Sequence, residues 1–139
     1  MAVSEKDELV RSLRGLALFA DLRDADLEAI ADPEQERRFA AGERILRRGL
    51  SGGGFFVILD GEAGVEIRDD APRRLLRGDF FGEVSTLLDC KPTADVVARS
   101  NLHCLEIPAP RLEAFLLQYP QVTYRMLQTV ARRLRDLLE

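Results

Sequence analysis

A chain of 139 residues, 46% of them apolar, is long enough for one domain with a core that needs no disulfide or metal staple. Its net charge of −4, with basic residues nearly all arginine and in no long block, argues against nucleic-acid binding. No apolar run approaches the ~18 residues of a membrane-spanning helix, and Met1 to Arg14 is charged and lacks an apolar signal core, so no membrane partner is expected and the expected setting is cytoplasmic.

Ser4 to Leu18 is predicted as a helix. Ser4 with Asp7 makes a capping-box-like start, and Leu9, Val10, Leu13, Leu16 and Ala17 lie along one face. Gly15 weakens its second half, and Phe19 to Leu22 reads as a break. Asp24 is predicted to cap a second short helix, with Leu27 and Ile30 on its buried face.

From Glu36 the period changes. Short β-type runs are separated by glycine and charged turns: Arg37–Phe39, Arg44–Leu46, Phe55–Leu59, Ala63–Ile67, Arg74–Leu76, Val96–Ala98 and His103–Ile107. Regular short strands with turn signals predict an antiparallel sandwich or barrel. Gly42-Glu43, Gly52-Gly53-Gly54, Asp60-Gly61 and Asp69-Asp70 fall between the runs, where turns need permissive residues. The triple glycine reads as a loop rather than a phosphate nest, because no Lys-Ser/Thr follows it and no helix starts there.

Inside this β-rich section lies Phe80-Phe81-Gly82-Glu83-Val84-Ser85-Thr86-Leu87-Leu88, then a polar loop to Val96. Val84 to Leu88 can make one helical turn. The first N–H groups of such a turn have no partner inside it, and the helix dipole favours an anion there. Gly82 lets a ligand approach the backbone. From pattern alone, the same turn reads equally as a plug for the end of a barrel.

Pro108 and Pro110 end the β section. Arg111 to Tyr119 is predicted helical, with Leu112, Phe115 and Leu116 inward, and Pro120 can open a further helix. In that last helix Leu127, Val130, Leu134 and Leu137 repeat at alternating three- and four-residue spacing, a coiled-coil-like seam. Arg125, Arg132, Arg133 and Arg135 fall off the seam and read as a solvated face. A homodimer through residues 123–138 is the expected assembly.

Enzyme chemistry is poorly supplied. His103 is the single histidine and reads as a packed or edge side chain. A metal-binding barrel needs several histidines, and no motif supports a nucleophile with a base. Cys90 and Cys104 have neither metal nor redox spacing and read as free structural thiols. No cofactor or metal is expected.

Phe81-Gly82-Glu83-Val84-Ser85, with Thr93-Ala94-Asp95-Val96-Val97-Ala98 after it, resembles the phosphate-binding cassette of the cyclic nucleotide-binding domain family, over residues 80–96. That family's pattern is an apolar residue, Gly-Glu, any residue, a small residue, apolar positions, a short loop, then Arg, a small residue and Ala. The arginine is missing: counted from Gly82, its place is held by Pro92. A second block, Gly42 to Gly49 followed by Phe55 to Glu62, is similar to the family's glycine-punctuated β-roll signature, with Leu50 where the family usually has an acidic or amide residue. The two blocks stand in order and correctly separated, and with the flanking helices the resemblance covers roughly residues 10–139.

The resemblance implies a mainly β fold with flanking helices. It is a double-stranded, jelly-roll-like antiparallel β-roll with an N-terminal helical bundle and two C-terminal helices. One domain would span 1–139, with N-terminal helices at 1–35, the β-roll at 36–107 and C-terminal helices at 108–139. It further implies a regulatory sensor of cAMP or cGMP. Phe81, Gly82, Glu83, Val84, Ser85, Pro92, Thr93 and Ala94 would form the ligand site, with Glu83 accepting from the ribose 2′-hydroxyl and the N–H groups near Val84 and Ser85 facing the phosphate. Pro92 offers neither a cation nor an N–H. A charge-assisted bond is worth ~1.5–3 kcal/mol, so its loss weakens binding roughly ten- to a hundred-fold or more. Lys91 is the candidate substitute cation. The alternative is a non-binding interaction or dimerisation domain of a larger regulator.

Overall fold

The computed structural model describes residues 4–50, 53–67 and 72–139. In chain order its elements are α1 (Glu5–Arg14), α2 (Asp24–Ile30), β1 (Glu36–Phe39), β2 (Arg44–Leu46), β3 (Gly54–Asp60), β4 (Ala63–Glu66), β5 (Arg73–Leu75), β6 (Phe80–Phe81), α3 (Glu83–Leu88), β7 (Asp95–Ala98), β8 (Leu102–Pro108), α4 (Ala109–Gln118) and α5 (Pro120–Leu138), with 3₁₀ turns at Ala17–Phe19 and Pro33–Gln35. They form two compact units, Glu34–Leu112 and the helical remainder, and the division falls inside α4.

In the strand unit two four-stranded sheets run in the orders β1-β8-β3-β6 and β2-β7-β4-β5. Every pairing is antiparallel. This is the antiparallel β-roll expected from the sequence. Alternation along β3 puts Phe56 and Ile58 in a core with Leu46, Ala63, Leu75, Phe81, Val96, Ala98, Leu102 and Cys104. Phe55, Val57 and Leu59, on the opposite face of β3, are buried too. β6 is a strand that periodicity does not reveal: two residues are too few to show a period, and pairing of Phe80 and Phe81 with Val57 and Phe56 makes it. Gly54, read as loop, opens β3 instead. The expected turn at Asp69-Asp70 and the glycine Gly52 lie outside the described residues.

In the helical unit Ser4 Oγ accepts from the Asp7 N–H at 3.1 Å, and Leu9, Val10 and Leu13 are buried. α1 stops at Arg14, short of the predicted Leu18, and Ala17–Phe19 tightens into a 3₁₀ turn that buries Leu18 and Phe19. Asp24 is the first residue of α2 rather than its cap. Arg23 is the cap, and its N–H donates to Asp26 Oδ2 at 3.2 Å. α4 begins at Ala109, so Pro110 falls in a first turn, where a missing N–H costs nothing.

α5 opens on Pro120 and buries Val122 and Met126. Thr123 Oγ1 donates to Leu116 O at 2.6 Å, and the Phe115 and Tyr119 rings lie 5.2 Å apart. Arg125 is not simply solvated. Its Nε and Nη2 donate to Asp21 Oδ2 and Oδ1 at 2.8 and 3.1 Å, a two-pronged pair that holds the Asp21 carboxyl below the usual carboxylate range. Among the described residues no helix is long and apolar enough to cross a membrane.

Candidate functional site

The site is built around α3. Gly82 caps it with φ 89°, a left-handed value that side chains rarely adopt. A Cβ at Gly82 would overlap the carbonyl oxygen of Gly54 at the start of β3. The glycine therefore serves twice, turning the chain out of β6 and letting α3 lie against β3. The Gly82 carbonyl is heavily used: it accepts from Thr86 Oγ1 at 2.7 Å, Thr86 N at 3.3 Å and Ser85 Oγ at 3.3 Å. The first N–H groups of α3 have no partner within the helix. Asp89 ends the turn at φ 51°, and its own N–H and that of Cys90 both return to Ser85 O.

Phe81 is a core side chain, stacked on Phe56 with centroids 4.9 Å apart and planes 12° apart. Glu83 is the first residue of α3 and half-buried. Val84 is exposed, and Ser85 is buried. Pro92 is also buried, and its carbonyl accepts from the Gly49 N–H at 2.9 Å. Lys91 and Thr93 are exposed and Ala94 is half-buried.

Two residues that the sequence reading quoted without a role in the site take one in the structure. Gly54 supplies the carbonyl on which Gly82 closes. Asp95, first residue of β7, accepts from the Arg48 N–H at 2.6 Å through Oδ1 and from Arg44 Nη1 through Oδ2. Those donors, with Arg47 nearby, outweigh its burial and hold the carboxyl below its ordinary range. Arg44 also stands 3.8 Å from Glu66, which pairs with Arg99 at 3.0 Å. Asp95 carries no motif of its own, and only its place after Thr93-Ala94 pointed to it.

His103 Nε2 lies 2.8 Å from Glu36 Oε1, across the β1–β8 pairing. Cys104 is buried and its thiol pushed up to about 12 by that burial. Cys90, expected to be structural, is exposed instead. Among the described residues no cluster of three or more His, Cys, Asp or Glu side chains is placed to hold a metal ion. In the helical unit a shallow cleft of about 400 Å³ is lined by Asp21, Gln121, Tyr124, Arg125 and Gln128.

Three solved structures illustrate the likeness of fold. PKAR CBD2 with bound Sp-2Cl-cAMPS is 17% identical, over 96% of this chain and 94% of that one, with a TM-score of 0.75. The regulatory subunit of a cAMP-independent protein kinase A from Trypanosoma brucei is 20% identical, over 96% of this chain and 52% of that one, at 0.75. The catabolite activator protein of Thermus thermophilus is 24% identical, over 86% of this chain and 59% of that one, at 0.72. The chain spans nearly the whole of the first and little more than half the length of the other two. The family model described as Cyclic nucleotide-binding domain matches residues 36–119, which cover the strand unit from β1, the α3 turn and all of α4. The chain belongs to the cyclic nucleotide-binding domain family.

Proposed function

We propose that this chain is a non-catalytic, cytoplasmic regulatory module, working as one unit over 1–139, that takes cAMP or cGMP at the α3 cassette weakly or with altered specificity. The observation that supports the reading is the left-handed corner at Gly82, closed on the Gly54 carbonyl, with Glu83 beside it as the first residue of α3. The fold itself needs Gly82, but a pocket abandoned altogether would not need the Glu83 carboxylate beside it. On this reading Gly82 and Glu83 meet the ribose, with Glu83 accepting from the 2′-hydroxyl. The N–H groups of Val84 and Ser85 face the cyclic phosphate, and Thr93 and Ala94 lie by phosphate and base. Weakness follows from Pro92, which stands where the family has arginine and whose carbonyl already holds Gly49. Lys91 is the adjacent cation, exposed on the same loop.

A second reading is an interaction domain that kept the fold and lost the ligand. It is favoured by the burial of Pro92 and by the likeness to a regulatory subunit whose kinase is cAMP-independent. Either reading accommodates a homodimer through residues 123–138, because Leu127, Leu134 and Leu137 are 66%, 58% and 70% exposed on the single chain. Sedimentation that shows a monomer at high concentration would remove the dimer.

Calorimetric titration with both nucleotides separates the readings. Pro92→Arg is expected to strengthen binding by ~1.5–3 kcal/mol, one charge-assisted contact. Glu83→Ala in that background is expected to remove much of the gain. A folded Pro92→Arg protein that gives no heat at millimolar nucleotide means that the cassette shape is lost and the interaction-module reading stands.

A further inference from the structure

Two loops far apart in the chain are joined beside α3. The loop after β2 runs through Arg47, Arg48, Gly49 and Leu50, and the cassette loop runs from Cys90 to Ala94. Gly49 N–H donates to Pro92 O at 2.9 Å, and Arg48 N–H donates to Asp95 Oδ1 at 2.6 Å. Asp95 is held in turn by Arg44 of β2, which also faces Glu66 of β4. One carboxylate thus ties a backbone amide of one loop to the strand that ends the other, and a guanidinium fixes the carboxylate. The four residues of the first loop carry two arginines next to the position where the cassette has proline.

We propose that Asp95 is a positioning residue that latches the 47–50 loop to the cassette, so that the two loops form one piece before any ligand arrives. Its importance for binding rests on the cassette reading above, but the latch itself is a property of the free chain. Here the cassette loop is held from the outside, by an acidic side chain on its own strand and two amides of its neighbour. The charged groups facing Asp95 are Arg44 from β2 and Arg47 from the loop, beside the neutral Arg48 amide; Glu66, its register partner on β4, lies 3.8 Å from Arg44 and is itself paired with Arg99.

The test is amide hydrogen exchange by NMR on the free 139-residue chain. Asp95→Ala is expected to speed exchange at Arg48 and Gly49 by about ten- to a hundred-fold, the loss of a bond to a charged acceptor. The amides of β3 are expected to be unmoved. Asp95→Asn keeps an acceptor oxygen without the charge and is expected to fall between. A second readout ties the effect to the charge of Asp95 rather than to the bulk of its side chain. The Arg48 amide shift is expected to titrate with Asp95, with a midpoint below the ordinary carboxylate range of ~4. The carboxyl is depressed when folded, so the latch is complete above that range and is lost as pH falls through the depressed midpoint. Unchanged exchange at Arg48 and Gly49 in Asp95→Ala overturns the proposal, and so does an Arg48 titration at the ordinary midpoint. Should Asp95→Ala also expose the β3 amides, Asp95→Asn decides, because it must loosen Arg48 while β3 stays protected. Failure of the nucleotide titration leaves this result untouched, so the two readings fail separately.

Discussion

Gly82 and Gly42 have nearly the same positive φ, 89° and 91°, in different surroundings. A Cβ at Gly42 meets nothing within 4 Å. Gly42→Ala therefore isolates the left-handed cost alone, roughly 1–2 kcal/mol. A Cβ at Gly82 meets the same backbone cost and also the Gly54 carbonyl oxygen, with Gly54 C at 3.2 Å and Phe55 Cα at 3.5 Å. These are main-chain atoms of a buried strand and cannot rotate aside as a flexible side chain does. Overpacking of that kind adds ~1–3 kcal/mol. Gly82→Ala is thus expected to cost ~2–5 kcal/mol, a large share of the 5–15 kcal/mol typical of a folded domain. Urea denaturation followed by circular dichroism measures both variants, with the midpoint reporting stability and the slope reporting the surface exposed. Should the clash be relieved by α3 swinging off β3, the slope falls as well as the midpoint. Equal losses for the two alanine variants at unchanged slope refute the closure of α3 on β3.

Thiol labelling of the native chain is expected to modify Cys90 and spare Cys104, whose burial keeps it protonated through the ordinary thiol range; mass spectrometry that finds the two labelled at equal rates contradicts that burial. The Asp21–Arg125 pair is expected to contribute stability above the ordinary carboxylate range and to lose it as pH falls through the depressed Asp21 pKa. The difference in thermal midpoint between wild type and Asp21→Asn should therefore shrink in acid, and a difference that stays constant with pH dismisses the pair as its source.

What local chemistry controls was legible in the residues. The Ser4 cap forms through an oxygen and an amide three residues apart, so the cap and the start of α1 follow from sequence. The same holds for the change of period at Glu36, for the strands centred on Phe55–Leu59 and His103–Ile107, and for proline at the start of α5. The Gly82-Glu83 pair and the glycine punctuation before it carried the family, because a left-handed corner leaves its mark on one residue type. Where competing local signals met, as at Gly15 or at Asp24 beside Arg23, the ends of the helices moved by a few residues.

What the chain decides only when folded depends on partners that sequence distance hides. β6 is a strand because β3 lies beside it, not because Phe80-Phe81 has a pattern. Arg125 and Asp21 meet across 104 residues, and Asp95 meets the Arg48 amide across 47. Pro92 can be read from the chain as a missing arginine, but its burial under a bond from Gly49 cannot. Propensity, capping and turn chemistry act over three or four residues and are written in the chain. Register, burial and the pairing of charges arise only when loops close, so the sequence determined the fold family and the corner at Gly82, and the tertiary structure decided what surrounds that corner.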